Sequence, residues 1–247
     1  LTENWSHALP ADRQGEVQHR YVLGVYELAH CLTETFPDIF FEGCAGGGGR
    51  FDAAMLSFFP QIWTSDNTDA YDRVRIQYGT ELIYPLSASS NHVSLSPNIR
   101  NGRIVNADTR RNIAFFGAYG YEFDVNKVPE EELARIPADV EKYRAFENLM
   151  QTGDLYRGRT TFDDQYNDML QVVVSKDKNH AVLVYFQALN LISLSPKIKI
   201  PGLDDNKTYR VEEFGLTLPG SVLRNLGLVL PRSKQDFASF LININAV

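Results

Sequence analysis

Between residues 15 and 35 the apolar residues Val17, Tyr21, Val25, Leu28 and Leu32 recur at three- and four-residue steps, and Pro37 follows as a stop. That is the step at which an α-helix returns to one face, so the spacing predicts a helix over 15–35. Four short apolar runs come next, at 39–42, 60–65, 82–86 and 112–117. They read as buried strands that end in polar loops. Helical patterns lie between and after them, one near 69–78 and a charged one over 129–150 with Leu133, Ile136, Val140, Tyr143, Phe146 and Leu149 on one side. The stretch between the third and fourth runs, with His92, Pro97 and Arg103, is polar and reads as a long loop.

After Gly153 the chain changes to strand-like runs at 170–174, 181–186 and 197–200, separated by turn residues at 176–179 and 202–207. This predicts a C-terminal antiparallel β-sandwich over 151–247, with the boundary near residue 151. Before that boundary each strand ends in polar residues, as in a (β/α) barrel whose chemistry sits at the C-terminal face of the strands. A complete barrel has eight strand–helix units, and four point to the second half of a (β/α)8 barrel in residues 1–150. The chain opens on Leu1 rather than Met, and Leu1-Thr2-Glu3-Asn4-Trp5 carries no turn-then-strand signal. A fragment of a longer protein is the expectation.

Composition narrows the function. With 44% hydrophobic and 12% aromatic residues the chain can bury a sizeable core. The 24 basic residues are outnumbered by 31 acidic ones, for a net charge of -7, which leaves no field to attract nucleic acid. No apolar run reaches the roughly 20 residues of a membrane span, and no basic-then-apolar leader opens the chain. The expectation is a soluble cytoplasmic protein without a membrane partner. Cys31 and Cys44 cannot build a disulfide framework, and no Cys/His spacing suits zinc. Neither a metal nor another cofactor is expected.

Two segments carry candidate chemistry. Residues Phe41-Glu42-Gly43-Cys44-Ala45-Gly46-Gly47-Gly48-Gly49-Arg50-Phe51-Asp52 follow a predicted strand, and so many glycines let backbone N–H groups approach a ligand. No Gly-Lys-Ser/Thr and no Gly-x-Gly-x-x-Gly register fits, which argues against a nucleotide; a flexible turn is the open alternative. Cys44 is either a small buried side chain or a ligand contact. The second segment, Trp63-Thr64-Ser65-Asp66-Asn67-Thr68-Asp69, joins an aromatic residue to two carboxylates at a strand end, a combination suited to sugars. Either carboxylate could instead cap the following helix. A carboxyl kept protonated by burial could donate to a glycosidic oxygen and later take a proton from water. His92 has no nucleophile-elbow setting and reads as a structural hydrogen-bonding residue. Tyr119, Tyr121 and Glu122 either line the mouth of a site or pack a barrel.

These blocks strongly resemble the microbial melibiase-type alpha-galactosidases of glycoside hydrolase family 36. The glycine block and Pro60-Gln61-Ile62-Trp63-Thr64-Ser65-Asp66-Asn67-Thr68-Asp69-Ala70 carry most of the likeness. Ile76-Gln77-Tyr78-Gly79-Thr80, Tyr84-Pro85, His92-Val93-Ser94, Asn112-Ile113-Ala114-Phe115-Phe116-Gly117 and Gly120-Tyr121-Glu122-Phe123-Asp124 agree in order and spacing over residues 1 to about 157. The C-terminal part resembles the family's β-sandwich with weaker signatures.

The resemblance implies a retaining hydrolase for terminal alpha-linked galactose in melibiose, raffinose and related oligosaccharides, forming a homo-oligomer when intact. It implies Asp66 as general acid/base and Cys44 and Gly46 as galactose contacts. Arg50 and Asp52 would hold the glycine loop, with Gly47, Trp63 and Asp69 as further supporting residues. Retention takes two carboxyl groups roughly 5 to 5.5 Å apart. In the family the nucleophilic aspartate belongs to a Lys-x-Asp-x-Asn motif just upstream of a segment like Leu1–Trp5, and Asp12, Asp38 and Asp52 do not match it. The expectation is therefore an active parent enzyme and an inactive isolated chain. Alternatives are a galactosyl transferase of raffinose-synthase type, an alpha-N-acetylgalactosaminidase, or a non-catalytic carbohydrate-binding module.

Overall fold

The computed structural model describes residues 6, 9–161, 167–191 and 195–247, and the opening run 1–5 lies outside them. Two compact units divide at Trp63 and Thr64. In the first, the expected amphipathic helix is α1, Glu16–Thr35. It buries Ala29 and packs Val25 and Tyr26 against Met55, Ile62, Phe58 and Phe59. Strands β1, Glu42–Gly43, and β2, Gln61–Trp63, pair in parallel, with Glu42 opposite Gln61 and Gly43 opposite Ile62. Between them lies α2, Ala53–Phe58, which starts where the Asp52 carboxylate accepts from the Met55 N–H at 2.9 Å. The strand expected at 39–42 is shorter than its apolar run, since Ile39 and Phe40 are exposed.

The second unit opens with α3, Ala70–Thr80, then β3, Ser89–Ser94, α4, Ala107–Ala114, and β4, Ala118–Glu122. Strands β3 and β4 are parallel, with His92 opposite Gly120. Three expectations are corrected here. The run 82–86 is not a strand: Leu82 and Ile83 are exposed, and a 3-10 turn at Leu86–Ala88 follows. The strand comes later, within the stretch read as a loop, because Ser89, Ser90, Asn91 and Ser94 are buried by hydrogen bonding rather than by apolar packing. Ser89 Oγ donates to Asn91 Oδ1 at 3.2 Å, and Ser94 Oγ donates to the Thr68 carbonyl at 2.7 Å. The run 112–117 is the end of α4 and the turn after it. Asn106 caps that helix through the Thr109 N–H at 2.8 Å, so Tyr119, Tyr121 and Glu122 lie within a strand instead of following one.

Short α5, Glu130–Leu133, and long α6, Ile136–Thr152, complete the helices before the large sheet. That sheet is antiparallel and contains β5, Asp154–Arg157; β6, Asp168–Val174; β7, His180–Gln187; β9, Thr208–Val211; β10, Leu216–Pro219; and β12, Ala238–Ala246. Its order is β10-β9-β12-β7-β6-β5. A separate antiparallel ribbon joins β8, Lys197–Ile198, to β11, Leu228–Val229. Met169, Val173, Val184 and Phe186 pack with Phe116, Phe146 and Leu149 from the helical part. Alternate residues Leu170, Val172, Leu183 and Tyr185 pack with Ile198, Ile200, Leu203 and Leu223. Both faces of β6 and β7 are covered, which is why these strands read as almost unbroken apolar runs.

Candidate active site

The turn from Thr64 to Asp69 is laced by its own side chains. Ser65 Oγ accepts from the Asn67 N–H at 3.1 Å, Asn67 Oδ1 accepts from the Asp69 N–H at 3.1 Å, and Asn67 Nδ2 donates to Asp72 at 2.8 Å. Thr68 accepts from Asn98 through its hydroxyl at 3.1 Å. Asp69, only 1% exposed, caps α3 by accepting from Tyr71 N–H at 2.8 Å, and its other oxygen accepts from Asn101 at 2.5 Å and Arg103 at 2.7 Å. The guanidinium of Arg103 also lies 4.6 Å above the Tyr71 ring. One polar side chain stands apart: the half-buried Asp66 carboxyl has no hydrogen-bond or ion-pair partner among the described residues. It is held by a rigid turn and left available for an outside group. A cavity of about 390 Å³ opens beside this turn at the C-terminal ends of β3 and β4, lined by Thr68, Ser94, Asn98, Glu122, Phe123 and Lys127.

The glycine loop belongs to the first unit. Gly46, Gly47 and Gly48 take φ values of 62, 76 and 85°, which glycine adopts without steric cost. Cys44 is exposed and lines a cavity of about 590 Å³, with Tyr21, Leu28, Glu42, Arg50 and Met55 among its other walls. Arg50 donates to the Tyr21 hydroxyl and sits 5.6 Å above the same ring. Asp52 caps α2, and the Tyr26 hydroxyl points at it from α1 at 3.5 Å. Arg50 and Asp52 thus tie the two ends of the loop to elements beside it. Trp63 is buried at the end of β2.

Sequence reading passed over two groups that shape this region. Arg73 is 2% exposed on α3 and reaches back to the turn, with Nη1 donating to Thr64 Oγ1 at 2.6 Å and to the Ser65 carbonyl at 3.2 Å. Arg110 donates through Nη1 to the Ser94 carbonyl at 2.6 Å and through Nη2 to both Glu132 oxygens at 2.8 and 2.7 Å. An arginine in a helix reads as a solvated residue, and no local signal marks these as buried. His92 lies on β3 with Nε2 3.0 Å from Ser90 Oγ and Nδ1 3.8 Å from Glu122. Among the described residues no group of His, Cys, Asp and Glu could hold a metal ion, and no helix is long and apolar enough to cross a membrane.

Asp66 thus stands on a hydrogen-bonded turn just past β2, in a chain of parallel strand pairs followed by antiparallel sheets. The chain belongs to the melibiase family, which it matches over residues 1–153, and residues 169–244 match the glycosyl hydrolase family 36 C-terminal domain. Alpha-galactosidase AgaA of Geobacillus stearothermophilus is 42% identical over all of this chain and 34% of its own length. An alpha-galactosidase of Lactobacillus acidophilus is 41% identical with the same coverage. The chain therefore spans about a third of the length of these curated relatives. The crystal structure of the Geobacillus enzyme gives a TM-score of 0.91 at 41% identity, covering 97% of this chain and 33% of that one. A variant of that enzyme in complex with raffinose gives 0.92 with the same coverage.

Proposed function

We propose that this chain is the acid/base-bearing part of a retaining alpha-galactosidase that removes terminal alpha-linked galactose from melibiose and raffinose-type oligosaccharides. Asp66 donates its proton to the departing glycosidic oxygen, and its carboxylate then takes a proton from the water that releases galactose. The nucleophilic carboxylate comes from a Lys-x-Asp-x-Asn motif, which residues 1–247 do not contain. Cys44 and Gly46 bind galactose; Arg50 and Asp52 support the glycine loop, and Asp69 supports the turn that carries Asp66. Residues 1–150 form the second half of a (β/α)8 barrel and residues 151–247 a β-sandwich; in support, the first family match ends at residue 153, near that boundary, and the second begins at residue 169.

The observation that carries this reading is the contrast at the turn: its neighbours are engaged, and the Asp66 carboxyl has no partner among the described residues. The raffinose complex of the Geobacillus relative supports the substrate class. The test is melibiose hydrolysis by the full-length polypeptide, with the anomer of released galactose followed by NMR. The alpha anomer should form first, and Asp66→Asn should lower turnover on the order of 10³-fold, within the range for loss of a general acid/base. Unchanged turnover in Asp66→Asn, or first formation of the beta anomer, would refute the assignment.

A further inference from the structure

We propose that Arg73 is the positioning residue of the general acid/base, fixing where Asp66 presents its proton without itself touching substrate. The inference rests on the reading of Asp66 given above. Arg73 follows Asp66 by seven residues, yet its side chain folds back into the protein instead of reaching water. Nη1 donates to Thr64 Oγ1 at 2.6 Å and to the Ser65 carbonyl at 3.2 Å, so it grips the two residues immediately before Asp66. Nη2 donates to the Ser90 carbonyl on β3 at 3.2 Å. One planar group therefore joins the turn to the neighbouring strand, in two directions that a single lysine nitrogen could not span.

The other end of the turn has a matching clamp in Arg103 and Asn101 on Asp69. Asp66 lies between the two clamps. Burial draws the Arg73 guanidinium down to about 10, with the negative charge of Glu122 working the other way, so the group is still a cation at neutral pH. A buried cation costs more to hold than an apolar residue of the same size, and such groups can be retained for conformational specificity. What Arg73 makes specific here is the path of the backbone into Asp66. General acid catalysis is sensitive to that path, because a shift of about 1 Å can cost on the order of 10²-fold in rate.

The experiment compares kcat/KM in the full-length enzyme for two alpha-galactosides: melibiose, whose leaving group needs a proton, and an aryl galactoside whose nitrated phenol leaves without one. Arg73→Met should lose about 30- to 100-fold on melibiose and less than about fivefold on the aryl substrate. Arg73→Lys should recover part of the loss on melibiose. Thr64→Val, which removes one accepted bond and keeps the buried charge, should show the same substrate bias at smaller size, and it keeps the question open to test if Arg73→Met does not fold. Equal losses on both substrates in Arg73→Lys and Thr64→Val would mean a merely structural role and overturn the proposal. Asp66→Asn is the reference. If it shows no leaving-group bias, the acid/base reading falls and takes the inference with it; if it shows the bias and neither Arg73→Lys nor Thr64→Val does, only the inference falls.

Discussion

Glu81, at the C-terminal end of α3, is a buried carboxyl with one oxygen accepting from Gln171 Nε2 on β6 and the other without a hydrogen-bond partner among the described residues. Burial pushes it up to about 8, against the opposing pull of the Gln171 bond and the Arg157 charge. An unfolded glutamate titrates near 4.5, so from there to about 8 the folded protein keeps a proton that the unfolded chain has released. Stability therefore falls as pH rises through that window and levels off above it. Glu81→Gln keeps the shape and the acceptor while removing the titration. At pH 8 we expect it to exceed the wild type by on the order of 1–3 kcal/mol, and at pH 4.5 to match it within about 0.5 kcal/mol. Urea unfolding at the two pH values checks this, and a wild-type advantage that grows with pH would contradict it.

At the scale of elements, the register of β3 against the turn before β4 depends on one glycine. Gly117 has φ 141°, and a Cβ there would lie 2.1 Å from Asn91 Nδ2 and 2.7 Å from the Ser89 carbonyl. Asn91 Nδ2 donates to the Phe116 carbonyl, so the turn is pressed against the strand. Gly117→Ala meets both a strained backbone and a steric clash, and we expect a loss of about 2–4 kcal/mol from the denaturant midpoint. A loss under about 0.5 kcal/mol would show that the approach can relax. Next to it, Arg110 holds the end of β3 through Ser94 and is anchored in turn by Glu132 on α5. This region is kept in place by polar contacts between elements as much as by its apolar core.

For the whole molecule, two cores lie on opposite faces of the six-stranded sheet, and packing is continuous from α6 into β5 and β6. The fold of the second unit is thus well supported, whereas double-displacement chemistry needs a second carboxylate that no matching motif in residues 1–247 supplies. Purified residues 1–247 should fold and yet leave a chromogenic alpha-galactoside unhydrolysed, below about a thousandth of the full-length rate. Turnover comparable to the full-length enzyme would overturn that expectation and require a nucleophile within this chain.

Helix α1 was legible because its apolar residues keep one face, and β6 and β7 because both of their faces are buried in hydrocarbon. The glycine block and the Trp63–Asp69 block were legible because their residue types are unusual enough to carry a family likeness. Strand β3 was not, nor were the buried roles of Arg73 and Arg110. Periodicity detects burial through hydrophobicity, and a polar side chain looks solvated until its partner is known. Those partners lie far along the chain: Arg73 meets Ser90, Arg110 meets Glu132, and Asp69 meets Arg103. The sequence by itself determined the family, the helices of regular period and the identity of the acid/base candidate. Only the tertiary structure decided which polar groups go inside and, among the described residues, which carboxyl of the turn after β2 is left without a partner, because a buried hydrogen bond is a property of two segments that folding brings together.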